Sequence, residues 1–354
     1  MTEKKEIQEI LIKNINERVS EDELLSVLKT IAPGTNLRTA LDGTLNAGKG
    51  ALIVIENEYL HPILDGGFRI NTRFTPQKLI ELTKMDGAII ISDDLKRINF
   101  ANVLLTPDSK IKSAETGTRH KAAERTAKQA KTIAIAISER RNEITVFYKN
   151  TRHHLQSTAN LLRKANEQVQ LLEKQKELFD NYVERLNKAE IQSHSNLSLA
   201  TAVIQKGMLI QKLTNELRKY NVELGKEGAI LKIRLKEIIS GVEKETDLVI
   251  KDYTNLDFKK SKVLLDSLSY DELTQEENIL SALVYEEKTR SSPIKGWRVL
   301  SKTCLLEPEI ALVVSNFKTI DNIFGKKEDD FKFILDDDKA KRFNTDLEKL
   351  RISS

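Results

Sequence analysis

Ile133-Ala134-Ile135-Ala136-Ile137 is short, wholly apolar and rich in β-branched residues, and it reads as a strand. Just before it, Arg119-His120-Lys121-Ala122-Ala123-Glu124-Arg125-Thr126-Ala127-Lys128-Gln129-Ala130-Lys131 is dense in strong helix formers. Just after it, Ile144-Thr145-Val146-Phe147-Tyr148 repeats the strand signature, as do Ala51-Leu52-Ile53-Val54-Ile55 and Ala88-Ile89-Ile90-Ile91 upstream. Strands that are apolar throughout have both faces covered. This pattern predicts a layered α/β domain, a mixed sheet flanked by helices.

The other helices of this region announce their starts. Ser20 followed by Glu23 fits a capping box, and Leu24, Leu25, Leu28 and Ile31 then form one apolar stripe. Thr75-Pro76 opens another helix, with proline where its missing N–H costs nothing. Gly48-Lys49-Gly50 lacks the spacing of a P-loop and reads as a turn into the Ala51 strand.

Near Asn150 the strand signals stop. Leu162, Ala165, Val169, Leu172, Phe179, Val183 and Leu186 follow alternating three- and four-residue steps, with Lys176 the one polar interruption, a seam that predicts a long packed helix. Leu209, Leu213, Leu217 and Tyr220, then Ile230, Ile233, Ile238 and Val242, mark further helical stripes. After Ser291-Ser292-Pro293 a small helical tail follows, with Trp297, Leu300, Leu305, Ile310, Leu312, Val313, Phe317, Ile320, Ile323, Phe324 and Leu335 as its expected core. The expected organisation is an α/β domain over 1–150, an all-α spine over 151–290 and a tail over 291–354.

With 31% charged residues and a net charge of +4, the chain has the balance of a water-soluble protein, mildly basic and compatible with an anionic partner. Cys304 is the only cysteine, which excludes an intramolecular disulfide and a cysteine metal cluster; with no activating neighbour it reads as packing. No run approaches the ~20 apolar residues of a membrane span, and no apolar leader follows Met1, so the expected location is cytoplasmic with no membrane partner. His153-His154 shows no acidic neighbour in sequence and reads as an exposed helix start.

Two clusters carry chemistry. Asp86-Gly87-Ala88 sits where a helix yields to a strand; glycine permits close backbone approach, and the aspartate suits a cation or a hydroxyl. In Glu115-Thr116-Gly117-Thr118-Arg119-His120-Lys121, Gly117 and Thr118 precede a helix whose free amides attract phosphate, and Arg119 and Lys121 add charge. Taken alone, the first reads as no more than a turn into a strand, and the second is equally a solvated basic face.

Together, with about thirty residues between them, these motifs resemble the diadenylate cyclase domain family. The likeness extends through Leu64-Asp65-Gly66-Gly67, Asn102-Val103-Leu104-Leu105 and Ser138-Glu139-Arg140-Arg141-Asn142. A cyclase domain ahead of a helical spine and a small tail resembles the DNA integrity scanning branch of that family. The resemblance implies condensation of two ATP molecules into cyclic di-AMP with Mg²⁺ or Mn²⁺, between facing subunits of a homo-oligomer, an octamer in that branch.

On this resemblance Asp86 engages the attacking hydroxyl, directly or through a metal. Thr118, Arg119 and the helix-start amides at Gly117 grip phosphate, and His120 binds either a phosphate or the metal. Leu105 lies by the adenine, Ser138 and Arg141 line the phosphate side, and Gly87 and Ala88 keep the backbone close to the nucleotide. Lys121 replaces the family's usual arginine, keeping the charge and losing the planar fork. The tail departs further from a helix-hairpin-helix: Phe333-Ile334-Leu335-Asp336-Asp337-Asp338-Lys339-Ala340-Lys341-Arg342 has no glycine and three consecutive aspartates. Lys339, Lys341 and Arg342, with Lys326 and Lys327 ahead of them, remain to attract DNA, so binding there is expected to be weak and salt-sensitive. The competing reading is a non-enzymatic, nucleic-acid-binding oligomeric scaffold that senses nucleotide; a purely structural coiled-coil adaptor is a third.

Overall fold

The computed structural model describes residues 19–191, 196–285 and 292–352. It divides into two compact units, one reaching to Ala165 and including Lys219–Leu231, the other formed by Asn166–Arg218 and by Lys232 onward.

The first unit is built on an eight-stranded mixed sheet. Its elements run α1 (Glu21–Thr30), α2 (Asn36–Asn46), β1 (Ala51–Ile55), β2 (Leu64–Asp65), β3 (Phe68–Arg73), α3 (Pro76–Leu82), β4 (Ala88–Ile91), β5 (Arg97–Leu105), α4 (Thr118–Ala130), β6 (Ile133–Ser138), β7 (Glu143–Tyr148) and β8 (Thr151–Leu155). The strand order is β2-β5-β4-β1-β6-β7-β8, with β3 also paired to β5. Only β1 and β4 are parallel; the other pairings are antiparallel.

The alternation in β6 shows how the layers are assigned. Ile135 and Ile137 point to one face, where they join Ile53, Ile89, Ile91, Ile144 and Val146 beneath Val27, Leu28, Leu37, Leu41 and Leu79 of the three N-terminal helices. Ala134 and Ala136 point to the other face and meet Ala123, Ala127 and Ala130 of α4 together with Leu52, Val54, Ile90 and Phe147. Small residues on both sides let α4 lie close on the sheet.

The capping box at Ser20 and Glu23 forms, with the Glu23 amide donating to Ser20 Oγ at 3.2 Å. Thr75 caps α3, and Gly48-Lys49-Gly50 is the turn into β1. The strands do not stop at Asn150. Thr151–Leu155 folds back on β7 as the outermost strand, so α5 (Thr158–Ile191) begins later than the sequence pattern indicates. His153 and His154 therefore lie on a strand, and both have partners. His154 Nδ1 is 3.0 Å from Thr145 Oγ1, and His153 Nε2 is 3.2 Å from Glu223 Oε1, an acid supplied from far along the chain.

The rest is helical: α6 (Leu197–Leu224), α7 (Ala229–Ile238), α8 (Val242–Tyr253), α9 (Phe258–Ser267), α10 (Tyr270–Leu273), α11 (Glu276–Ala282), α12 (Trp297–Leu300), α13 (Glu307–Phe317), α14 (Ile320–Phe324), α15 (Glu328–Phe331) and α16 (Asp337–Ile352). Among the described residues no helix is long and apolar enough to cross a membrane. The seam of α5 buries Leu161 in place of Leu162, then Ala165, Val169, Leu172, Phe179 and Leu186. In α7 the buried side chains are Leu231 and Leu235, while Ile230 and Ile233 face outward, correcting the stripe read from sequence.

The second unit holds a buried polar knot that no periodicity signals. Arg298 donates to Glu190 at 2.5 Å, to Glu245 at 2.7 and 2.9 Å and to Asn187 at 2.7 Å. Asp252 accepts from the amides of Gly296, Trp297 and Arg298 at 2.6 to 3.0 Å and so caps α12. In the tail, Phe331 packs edge-on against both Phe317 and Phe343, while Leu312 is exposed, and so is Cys304, against the expectation of packing.

Candidate active site at the start of helix α4

Strand register collects the sequence motifs at one end of the sheet. Leu52 of β1 pairs with Ala88, Ala51 with Ile137, and Ala88 with Val103. Gly50, Asp86-Gly87, Ser138 and Leu104-Leu105 thus lie at the same ends of adjacent strands, and Arg119 at the start of α4 reaches two of them. Its guanidinium is 3.5 Å from Asp86 Oδ1, and a Cβ on Gly50 would stand 2.7 Å from that same guanidinium. The Asp86 side chain is 97% exposed, so the pair is solvated and weak, and the carboxylate is open to a ligand.

Helix α4 fixes its own leading loop. Glu124 accepts from Ser113 Oγ at 2.5 Å and from the Ala114 amide at 3.1 Å. Arg125 donates to the carbonyls of Ile111 and Ser109, and Lys128 to that of Lys112. Gly117 stands at the N-cap and has no side chain to cap the first amides, which leaves that turn to an anionic ligand. Thr118 is exposed beside it, and Lys121 is half-buried one turn on.

His120 packs edge-on against Phe147, centroids 6.4 Å apart. Burial holds its imidazole below the ordinary value; Glu115 opposes that shift, while Arg141, Arg152 and His154 reinforce it. The ring is neutral at pH 7, with a lone pair for a proton or a cation. Ser138 accepts from the Arg141 amide at 3.3 Å, which shapes the turn that leaves Arg141 exposed.

At three of the expected residues the structure shows how the backbone is packed. The Gly87 backbone has φ +85, and a Cβ there would lie 2.7 to 2.9 Å from the backbone of Asn102 and Val103, so its close approach is to β5. Ala88 is fully buried in the sheet. The Leu105 side chain is 8% exposed and packs in the core under α4; Leu104, 60% exposed, is the side chain that β5 presents outward.

Arg152 on β8 is a residue that sequence reasoning missed. Its Nε lies 2.9 Å from Glu115 Oε1, on a carboxylate 4% exposed. The polar run Thr151–Leu155 carries no strand signal, but Lys149-Asn150 is a two-residue hairpin turn, with Lys149 at φ +50, and was the available clue.

Among the described residues no three His, Cys, Asp or Glu side chains converge to form a metal cage. The donors present suit a hard divalent cation that arrives on phosphate oxygens and takes one carboxylate from the protein, as Mg²⁺ does. Asp86 fits that role by its exposure, and His120 carries a nitrogen of the type that would serve as a second donor.

The class defined by this arrangement is an α/β domain whose sheet end meets an uncapped helix start. A family model described as the DisA bacterial checkpoint controller nucleotide-binding domain matches residues 38–152, and one described as the DisA linker region matches 155–292. The DNA integrity scanning protein DisA of Acetivibrio thermocellus is 41% identical over 81% of this chain and 82% of its own length. That of Bacillus subtilis is 37% identical over 94% and 95%. A crystal structure of DacA from Staphylococcus aureus is 26% identical over 39% of this chain and 91% of its own, with a TM-score of 0.29. The chain belongs to the DisA family of DNA integrity scanning proteins.

His120 gives the site a pH signature. Its folded pKa lies below the unfolded value of about 6.5, so unfolding takes up a proton in acid. His120's contribution to stability is present above pH 6.5 and is lost as pH falls below it. Proton NMR should find the His120 midpoint below 6.5; a midpoint at or above 6.5 would contradict the burial.

Proposed function

We propose that this chain is a diadenylate cyclase. It condenses two ATP molecules into cyclic di-AMP and releases two pyrophosphates, one domain holding each ATP and two subunits facing each other to close the ring. The observation that carries this reading is the convergence of Asp86 with the uncapped start of α4 at one end of the sheet.

In each half-reaction a ribose 3′-hydroxyl attacks the α-phosphorus of the other nucleotide, forming one P–O bond as the bond to pyrophosphate breaks. Phosphoryl transfer of this kind needs alignment and charge stabilisation above all. The amides from Thr118 onward and the Arg119 guanidinium grip phosphate oxygens; Arg141 and Lys121 add positive charge around them. Asp86 engages the attacking hydroxyl and draws off its proton. His120, uncharged, accepts a hydrogen bond or helps hold a cation. Asp86 and His120 would hold Mg²⁺ or Mn²⁺, and the cation would supply neutralising charge. An octamer of facing cyclase domains is the assembly we favour, and the working location is the cytoplasm.

Purified protein should convert ATP to cyclic di-AMP only with Mg²⁺ or Mn²⁺, read by chromatography. Asp86→Asn, which removes a charge and keeps the volume, should lower turnover at least ~100-fold with the fold unchanged. ADP, AMP or no product with either metal would refute the cyclase and favour the nucleotide-sensing scaffold.

DNA binding by the tail is proposed to be weak. Asp337 and Asp338 lie in the first turn of α16, where carboxylates favour the helix and repel phosphate. Lys339 is already paired with Glu309, leaving Lys341 and Arg342 exposed. Titration of labelled junction and duplex DNA should show salt-sensitive binding with little preference between them. Tight junction-selective binding at physiological salt would overturn this.

A further inference from the structure

We propose that Arg152, on the edge strand β8, is a positioning residue for nucleotide: it neutralises the buried Glu115 carboxylate and fixes the turn on which a polyphosphate settles. The inference rests on the cyclase reading and assigns a role to a pair that lies outside the motifs defining the site.

The geometry starts from strand register. Arg152 is the cross-strand partner of Phe147, and antiparallel partners share a face. Phe147 lies in the core beneath α4 and carries His120 on its ring, so Arg152 emerges on the α4 side of the sheet. There its Nε meets Glu115 at 2.9 Å, two residues before the helix N-cap at Gly117.

A carboxylate 4% exposed beside an anion-binding turn is costly unless paired, because it is both desolvated and repelled by phosphate. Glu115 is nevertheless held there from both ends. Its amide donates to Ser113 Oγ at 3.2 Å, and Ser113 in turn donates to Glu124 on α4. Its side chain pairs with Arg152 through charge alone, since Oε1 accepts no hydrogen bond. The pair therefore ties β8 to the phosphate turn, and Arg152 acts through Glu115 without contacting the nucleotide.

This makes a sign-specific prediction that a direct phosphate contact does not share. Removing Arg152 strands a buried negative charge; removing both partners does not. Binding of the unreactive analogue α,β-methylene-ATP with Mg²⁺ is measured by calorimetry, with thermal melting as the fold control. Arg152→Gln should weaken binding about tenfold or more, Glu115→Gln should weaken it less because the turn loses its tie but no buried charge is stranded, and the double variant should bind within about threefold of Glu115→Gln. Arg152→Lys, which restores the charge, should bind more tightly than Arg152→Gln and serves if the glutamine variant does not fold.

A double variant as weak as Arg152→Gln would mean that Arg152 touches phosphate itself and would overturn the inference, as would unchanged binding by Arg152→Gln. No analogue binding by the unaltered protein would instead overturn the cyclase reading, and this inference with it.

Discussion

The site depends on how closely α4 lies against the sheet. Ala123, Ala127 and Ala130 meet Ala134 and Ala136, so the helix approaches β6 without long side chains between them. That contact sets where the first turn of α4 ends up, level with Gly50 and Asp86. Larger side chains on either side would lift the helix and carry Thr118, Arg119 and His120 away from the carboxylate. Interiors are packed too densely for such a shift to be absorbed locally.

On this frame the charges divide into two kinds. Asp86, Arg119 and Arg141 are exposed and solvated, and Asp86 and Arg119 are only weakly engaged with each other. Glu115 with Arg152, and Glu124 with Lys128, are more buried and hold the loop that leads to Gly117. Asp86 and the start of α4 come from separate segments, joined by the sheet and the helix packed on it. That division suits a reaction whose barrier is lowered mostly by alignment and charge.

Much of this was legible in the chain. The apolar strands at Ala51, Ala88, Ile133 and Ile144 were visible because burial on both faces leaves near-continuous aliphatic runs. Strand β5, the longest, was not, since Arg97, Asn99 and Asn102 break its pattern and Asn102 at φ +53 lies where its pairing with β4 is irregular. Strand β8 was hidden by its polarity as an edge strand. Asp86 and the α4 start were legible as motifs, but their meeting depends on strand register and could not be read. Strand alternation decides that Leu105 packs inward while Leu104 faces out, which the leucine pair alone does not reveal. Arg298, fully buried among acids from distant helices, looks in sequence like any surface arginine.

The central claim, that catalysis needs two facing domains each carrying one ATP, is tested most directly by dilution. Cyclic di-AMP formation per subunit and the mass by light scattering are measured together over a wide range of protein concentration at saturating ATP. Activity per subunit is expected to fall in step with dissociation of the assembly. A monomer that retains full activity at the lowest concentration would contradict the claim.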